Sequence, residues 1–195
     1  GIVMKSDFQK GNSMTRTLLF SALAALAAPT LAFELMSPDI KAGEPIAMTH
    51  VLNGFGCVGQ NISPALSWKN VPADAKSFAI MVHDPDAPTG GAGFWHWVVV
   101  NIPASVSALP RGAGAGDGSA APATSRQINT DFGTPGWGGP CPPQGHGKHR
   151  YHFTLHALKT DKLDIPDGAT ASLVGYMINA NSIGKAKLTG MYGRK

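Results

Sequence analysis

Charge is scarce in this chain: Asp, Glu, Lys and Arg together make up only 14% of 195 residues, against 43% hydrophobic. That balance excludes a disordered chain, which needs high charge and little apolar content. Neither sign of charge dominates. The formal net charge is +4, and removing Lys5, Lys10, Arg16 and Asp7 at the N-terminus leaves 13 basic and 11 acidic residues. So weak and scattered an excess excludes a nucleic-acid-binding face. Cysteine is nearly absent, and no spacing around Cys57 or Cys141 resembles a Cys–His catalytic pair. No H-E-x-x-H or G-x-S-x-G motif and no G-K-[ST] phosphate loop occurs, and no internal repeat is visible. The apolar run Leu18–Ala28 is too short for a membrane span, which takes about 20 residues.

Glycine and proline are plentiful, at 24 and 15 residues. The length suits one domain with a sizeable core, and the composition suits a loop-rich, mainly β protein. The N-terminus reads as an export signal: Met14-Thr15-Arg16, the run Leu18–Ala28, then Thr30-Leu31-Ala32. Residues 1–32 are therefore expected to be upstream residues and a signal peptide cleaved after Ala32. Residues 33–195 form the expected mature domain, periplasmic or secreted. In an oxidising compartment Cys57 and Cys141 are expected to pair, the alternative being two free thiols.

Strand-length apolar runs recur at 46–52, 65–71, 77–84, 94–102 and 149–158, punctuated by Pro, Gly and Asn. They predict an antiparallel β-sandwich with a few short peripheral helices. One helix is expected within 169–182, with Asp167 or Thr170 as its cap, and a last strand over 186–192. The stretch G-A-G-A-G-D-G at 112–118 reads as a flexible connection.

Strand side chains alternate between faces, and the parity places polar residues on apolar faces. Asp84 continues Phe78, Ile80 and Val82. His149 and Tyr151 open a face carried on by Phe153, Leu155 and Ala157. His96 stands on a face reading Phe94, Val98, Val100 and Ile102. A buried polar group costs free energy unless paired. Four such groups on one rim would form a small polar pocket in an apolar floor. Asp84 can orient a histidine, and a protonated histidine is a good anion donor. The rigid loop 137–147, rich in Gly and Pro, could add backbone N–H groups.

The motifs D-P-D-A-P at 84–88, W-H-W-V-V-V-N at 95–101 and G-P-C-P-P-Q-G-H-G-K-H-R-Y at 139–151 resemble those of the phosphatidylethanolamine-binding proteins. N-I-S-P-A-L-S-W at 61–68 and V-G-Y-M-I-N-A at 174–180 fit as well, and the bacterial Raf-kinase-inhibitor-like branch fits best. The resemblance implies a β-sandwich with a shallow anion pocket at one end. Asp84, His96, Pro142, Pro143, His149 and Tyr151 would line it, with backbone around Gly139. Pockets of this family accept phosphate, acetate and the phosphatidylethanolamine head group. Arg150 matches a family position, but its parity points away from Tyr151, so it is expected to frame the site by pairing with Asp86. Phe94 stands where eukaryotic members often have Trp, which alters the stacking wall.

Three functions follow. The first is non-enzymatic binding of small anions or phospholipid head groups, with no cofactor and no metal. The second is an interaction protein of the protease- or kinase-inhibitor type. The third is a metal-dependent hydrolase using Asp84, His96 and His149, with His146 and His152 nearby.

Overall fold

The computed structural model describes Ile2, Gly11 and residues 26–195. The expected export signal lies largely outside the described residues, as do nearly all of residues 1–13. In chain order the elements are β1 (Glu34–Met36), β2 (Asn53–Gly54), β3 (Cys57–Val58), β4 (Leu66–Lys69), β5 (Ser77–Asp84) and β6 (Phe94–Pro103). After these come β7 (Ala108–Leu109), β8 (Arg126–Gln127), β9 (His149–Leu158), α1 (Ala171–Asn181) and β10 (Ser182–Tyr192). Residues 31–195 belong to one unit.

A five-stranded antiparallel sheet, in the order β10-β9-β5-β6-β8, faces a three-stranded sheet, β1-β4-β7. The core between them joins Leu35, Leu66 and Trp68 of the small sheet to Phe78, Ile80, Val82, Val99, Phe153 and Leu155 of the large one. On the other face Ala79, Met81, Val98 and Val100 pack against Val174 and Ile178 of α1. β5 is thus covered on both faces, which is why its sequence is a continuous apolar run rather than an alternating one. Among the described residues α1 is the one helix, and turns take the place of the other expected peripheral helices. The Thr170 hydroxyl caps it by accepting from the Leu173 amide at 3.1 Å. Asp167 is not the cap and reaches Arg126 instead.

Three local expectations are corrected. The run 46–52 is not a strand. His50 and Val51 donate to the Ala47 and Met48 carbonyls in turns, while Ile46, Val51 and Leu52 are buried as plugs. The stretch 112–118 is a packed series of turns rather than a loose connection: Ala113 is fully buried, and the Gly114 amide donates to Ser63 Oγ at 2.8 Å. The parity of β6 is broken twice. Val82 pairs with Trp97 but His83 with Trp95, so His96 sits in a bulge. A second shift lies between Ile102 and Val99, where Asn101 has φ +58°. Trp97, Val99 and Ile102 therefore face the inter-sheet core, and Val98 and Val100 the helix side.

Candidate functional site: a pocket at the strand ends

The D-P-D-A-P turn connects two strands through its two carboxylates. Asp84 ends β5 at 2% exposure and His149 opens β9 at 1%. Asp84 Oδ1 accepts the Asp86 amide at 2.8 Å, which folds the turn back on itself. Its Oδ2 accepts Nδ1–H of His149 at 2.7 Å. The second ring nitrogen of His149 lies 2.7 Å from Nδ1 of the exposed His146, and the two share a proton. Asp86 faces outward and binds Arg150, taking its amide at 2.8 Å and two guanidinium hydrogens at 3.0 and 2.7 Å. The guanidinium holds the Asp86 carboxyl well below the usual carboxylate range. Arg150 thus frames the site from outside.

The bulge in β6 turns His96 inward. Its ring stands 5.2 Å from Phe94, 5.5 Å from Phe132 and 5.2 Å from Tyr151, centre to centre. Nδ1 lies 2.6 Å from the Gly138 carbonyl oxygen, which can only accept, so Nδ1 carries the hydrogen. Burial pushes the His96 pKa down to about 4. At neutral pH the ring is therefore uncharged, and Nε2 offers a lone pair. The expected cationic donor is not His96. Tyr151 is fully buried, and its hydroxyl has no hydrogen-bond partner among the described residues. Burial, and then the Asp84 carboxylate close to the hydroxyl, push its pKa upward, although the two groups do not reach hydrogen-bond geometry.

The loop after Trp137 builds the wall differently from expectation. The Gly138 amide donates to the His96 carbonyl, and the Gly139 amide to Asn61 Oδ1 at 2.8 Å. Gly139 therefore has no N–H left for a ligand. It is glycine because a Cβ there would collide with the backbone of His50, Val51 and Leu52. Cys141, two residues on, reaches the pocket, and its amide makes no hydrogen bond among the described residues. Cys141 is disulfide-bonded to Cys57, Cα to Cα 6.0 Å. Arg194 ties this wall to the C-terminus, donating from Nε to the Pro142 carbonyl at 2.7 Å and from one terminal nitrogen to Gly56 at 3.4 Å.

Asp84, Phe94, His96, Pro142, Pro143, His149 and Tyr151 line one open pocket of about 490 Å³, whereas Gly139, Asp86 and Arg150 do not. The sequence reading missed Phe55, Asp131, Phe132 and Arg194, and placed Cys141 only in the disulfide. Phe55 left a trace: an aromatic residue between Gly54 and Gly56, at φ +52° and 81% exposed. Among the described residues no group of three or more His, Cys, Asp or Glu side chains is arranged to hold a metal ion. His96 and His149 have already turned nitrogens to Gly138, Asp84 and His146.

A family model described as phosphatidylethanolamine-binding protein matches residues 36–193. The chain belongs to the phosphatidylethanolamine-binding protein family. Relatives place it in the bacterial branch. YbcL of Escherichia coli is 48% identical over 180 residues, covering 91% of this chain and 98% of YbcL. YbhB of the same organism is 46% identical over 159 residues, covering 82% of this chain and 99% of YbhB. The YbcL crystal structure, described as a new member of the mammalian family, superposes with a TM-score of 0.82 at 50% identity, over 85% of this chain and 100% of its own. A phosphatidylethanolamine-binding protein homologue from Chlamydia trachomatis gives a TM-score of 0.70 at 32% identity, over 84% of this chain and 99% of its own. Membership in this family supports a ligand-binding role in general terms.

Proposed function

We propose that the protein is a non-enzymatic binding module for small anions or phospholipid head groups of the phosphate or phosphoethanolamine type. The observation that carries this reading is the unpartnered hydroxyl of the fully buried Tyr151 beside the Asp84–His149 pair. A buried donor without a partner costs about 1–3 kcal/mol, and a ligand oxygen would recover it. The free Cys141 amide and the Arg194 cation supply further donors at the pocket wall. Export to the periplasm or beyond fits the Cys57–Cys141 bridge, since disulfides persist in oxidising compartments. Against chemistry on the ligand, Asp84 and His149 flank no serine, threonine or free thiol among the pocket residues apart from Thr89, whose hydroxyl donates to Gly93.

Calorimetric titration with phosphoethanolamine tests the reading. The Kd should fall between millimolar and micromolar, roughly −4 to −8 kcal/mol, as expected of a small open site. His149→Ala should weaken binding by about 1–3 kcal/mol, because it leaves the buried Asp84 acid group without its partner beside the anion. Asp84→Asn should weaken it too, by loosening the His149 ring. Unchanged affinity in both variants would contradict the reading.

A further inference from the structure

Disulfides differ in reactivity according to which sulfur a thiolate can reach and how readily the other sulfur leaves. The Cys57–Cys141 bridge is uneven in both respects. Cys57 is 5% exposed and packs with Val51 and Leu52. Cys141 is half-buried, and it lines the open pocket with Phe55, Pro142 and Arg194. An incoming thiolate therefore meets Cys141 first, from the pocket side. The second difference is electrostatic. Cys141 Sγ lies 3.7 and 3.6 Å from the Gly54 and Phe55 carbonyl oxygens, whose negative ends disfavour a thiolate at that sulfur. Attack on Cys57, which would expel Cys141 as the thiolate, is thus opposed by access and by charge together. Arg194 stands between the two segments that carry the cysteines. Its guanidinium donates to the carbonyls of Gly56, just before Cys57, and of Pro142, just after Cys141. A cation so placed favours a thiolate leaving from this bridge.

The hairpin that carries Cys57 has little else to hold it. The β2–β3 ladder consists of two residue pairs, Asn53 with Val58 and Gly54 with Cys57. So short a hairpin is marginal by itself in water. Its tip holds Phe55 at φ +52°, a backbone region unfavourable for a bulky side chain, with the residue 81% exposed and its ring 6.1 Å from Phe132. We propose that Cys141 is a modification site: a low-molecular-weight thiol entering the pocket opens the bridge and stays on Cys141 as a mixed disulfide, with Arg194 easing the departure of Cys57. The incoming thiolate sulfur bonds to Cys141 Sγ, and the Cys57–Cys141 bond breaks. Cys57 leaves with the bonding electron pair and takes up the proton that the incoming thiol gave to solvent. The incoming sulfur is oxidised to the disulfide level and the Cys57 sulfur is reduced to a thiol, so the exchange balances without a further oxidant. The product holds its adduct inside the pocket of about 490 Å³ and frees the hairpin wall on which Phe55 stands. Return of the Cys57 thiolate to Cys141 expels the adduct and restores the bridge.

The test uses the folded full-length protein, its bridge formed, in a mixture of reduced and oxidised glutathione at fixed pH, which keeps the mixed disulfide populated. Samples are quenched with acid, alkylated, and mapped by mass spectrometry of peptides. Chains with one glutathionyl group should bear it on Cys141 and the alkyl label on Cys57, about tenfold or more in excess of the reverse. The initial rate should rise in proportion to reduced glutathione and stay flat in urea below the unfolding transition, because access is through the pocket rather than through unfolding. Thiolation should shift the NMR signals of His96, Phe132 and Tyr151, which surround the adduct. Arg194→Gln should slow the opening about three- to tenfold, and Arg194→Lys should restore most of the rate. A faster reaction in Arg194→Gln, the outcome if Arg194 only ties the hairpin down, contradicts its part in the proposal. Glutathione on Cys57, equal labelling of the two cysteines, or opening that occurs only as urea unfolds the chain overturns the proposal as a whole. These readings come from the parent protein and decide even where the Arg194 variants fail to fold.

Discussion

Tyr151 is the residue at which stability and binding pull apart. Its hydroxyl is buried without a partner, which destabilises the free protein and which, on the proposed reading, a ligand oxygen would satisfy. Tyr151→Phe should therefore raise the unfolding free energy of the free protein by about 1–3 kcal/mol and weaken phosphoethanolamine binding by a similar amount. Urea denaturation and calorimetry on the same preparation check both halves. A variant that is less stable and binds as well as the parent would show that the hydroxyl is a structural group. The parity of β9 made Tyr151 and His149 legible in the sequence as polar residues on an apolar face. The protonation of His96 was not legible. It depends on the Gly138 carbonyl 2.6 Å away and on three rings around the imidazole, all contributed by distant segments or revealed only by the fold.

At the scale of elements, apolar runs and turn residues located β5, β6, β9 and α1 closely, because each is covered on a face whose period the sequence carries. What failed was anything that depended on a bulge or on packing between loops. The two register shifts in β6 move the faces of the strand, and a parity count from one end cannot see them. Gly139 illustrates the same limit. Read as part of a rigid loop with an amide open to a ligand, it is instead a contact point where the pocket loop presses on residues 50–52. Gly139→Ala should accordingly cost about 1–3 kcal/mol or more, since backbone rather than a mobile side chain blocks the methyl group. Gly145, in the same loop at φ +75°, has open space around it, so Gly145→Ala should cost only the left-handed strain, about 1–2 kcal/mol. Thermal and urea unfolding of the two variants would rank them. A Gly139→Ala protein milder than Gly145→Ala contradicts the account of the loop.

Over the whole molecule, the pocket is assembled from parts far apart in the chain. The β2–β3 hairpin brings Phe55, β5 brings Asp84, β6 brings His96, the loop before β9 brings Cys141, and the C-terminal segment brings Arg194. The Cys57–Cys141 bridge, 84 residues apart in sequence, and the two Arg194 hydrogen bonds hold the outer wall to the sandwich. The motif residues of this assembly were readable because short segments carry them. Arg194, Asp131, Phe132 and Phe55 were not, since each lies in a turn or terminus with no periodic signature and gains its meaning from its neighbours in space. The central claim is that this assembled pocket holds a phosphate-type group, and a crystal structure of the protein soaked with phosphoethanolamine tests it most directly. The account predicts the phosphate between Tyr151, His96 and the Cys141 amide, within hydrogen-bond distance of all three. Phosphate density elsewhere on the surface, with this pocket holding only water, would contradict it.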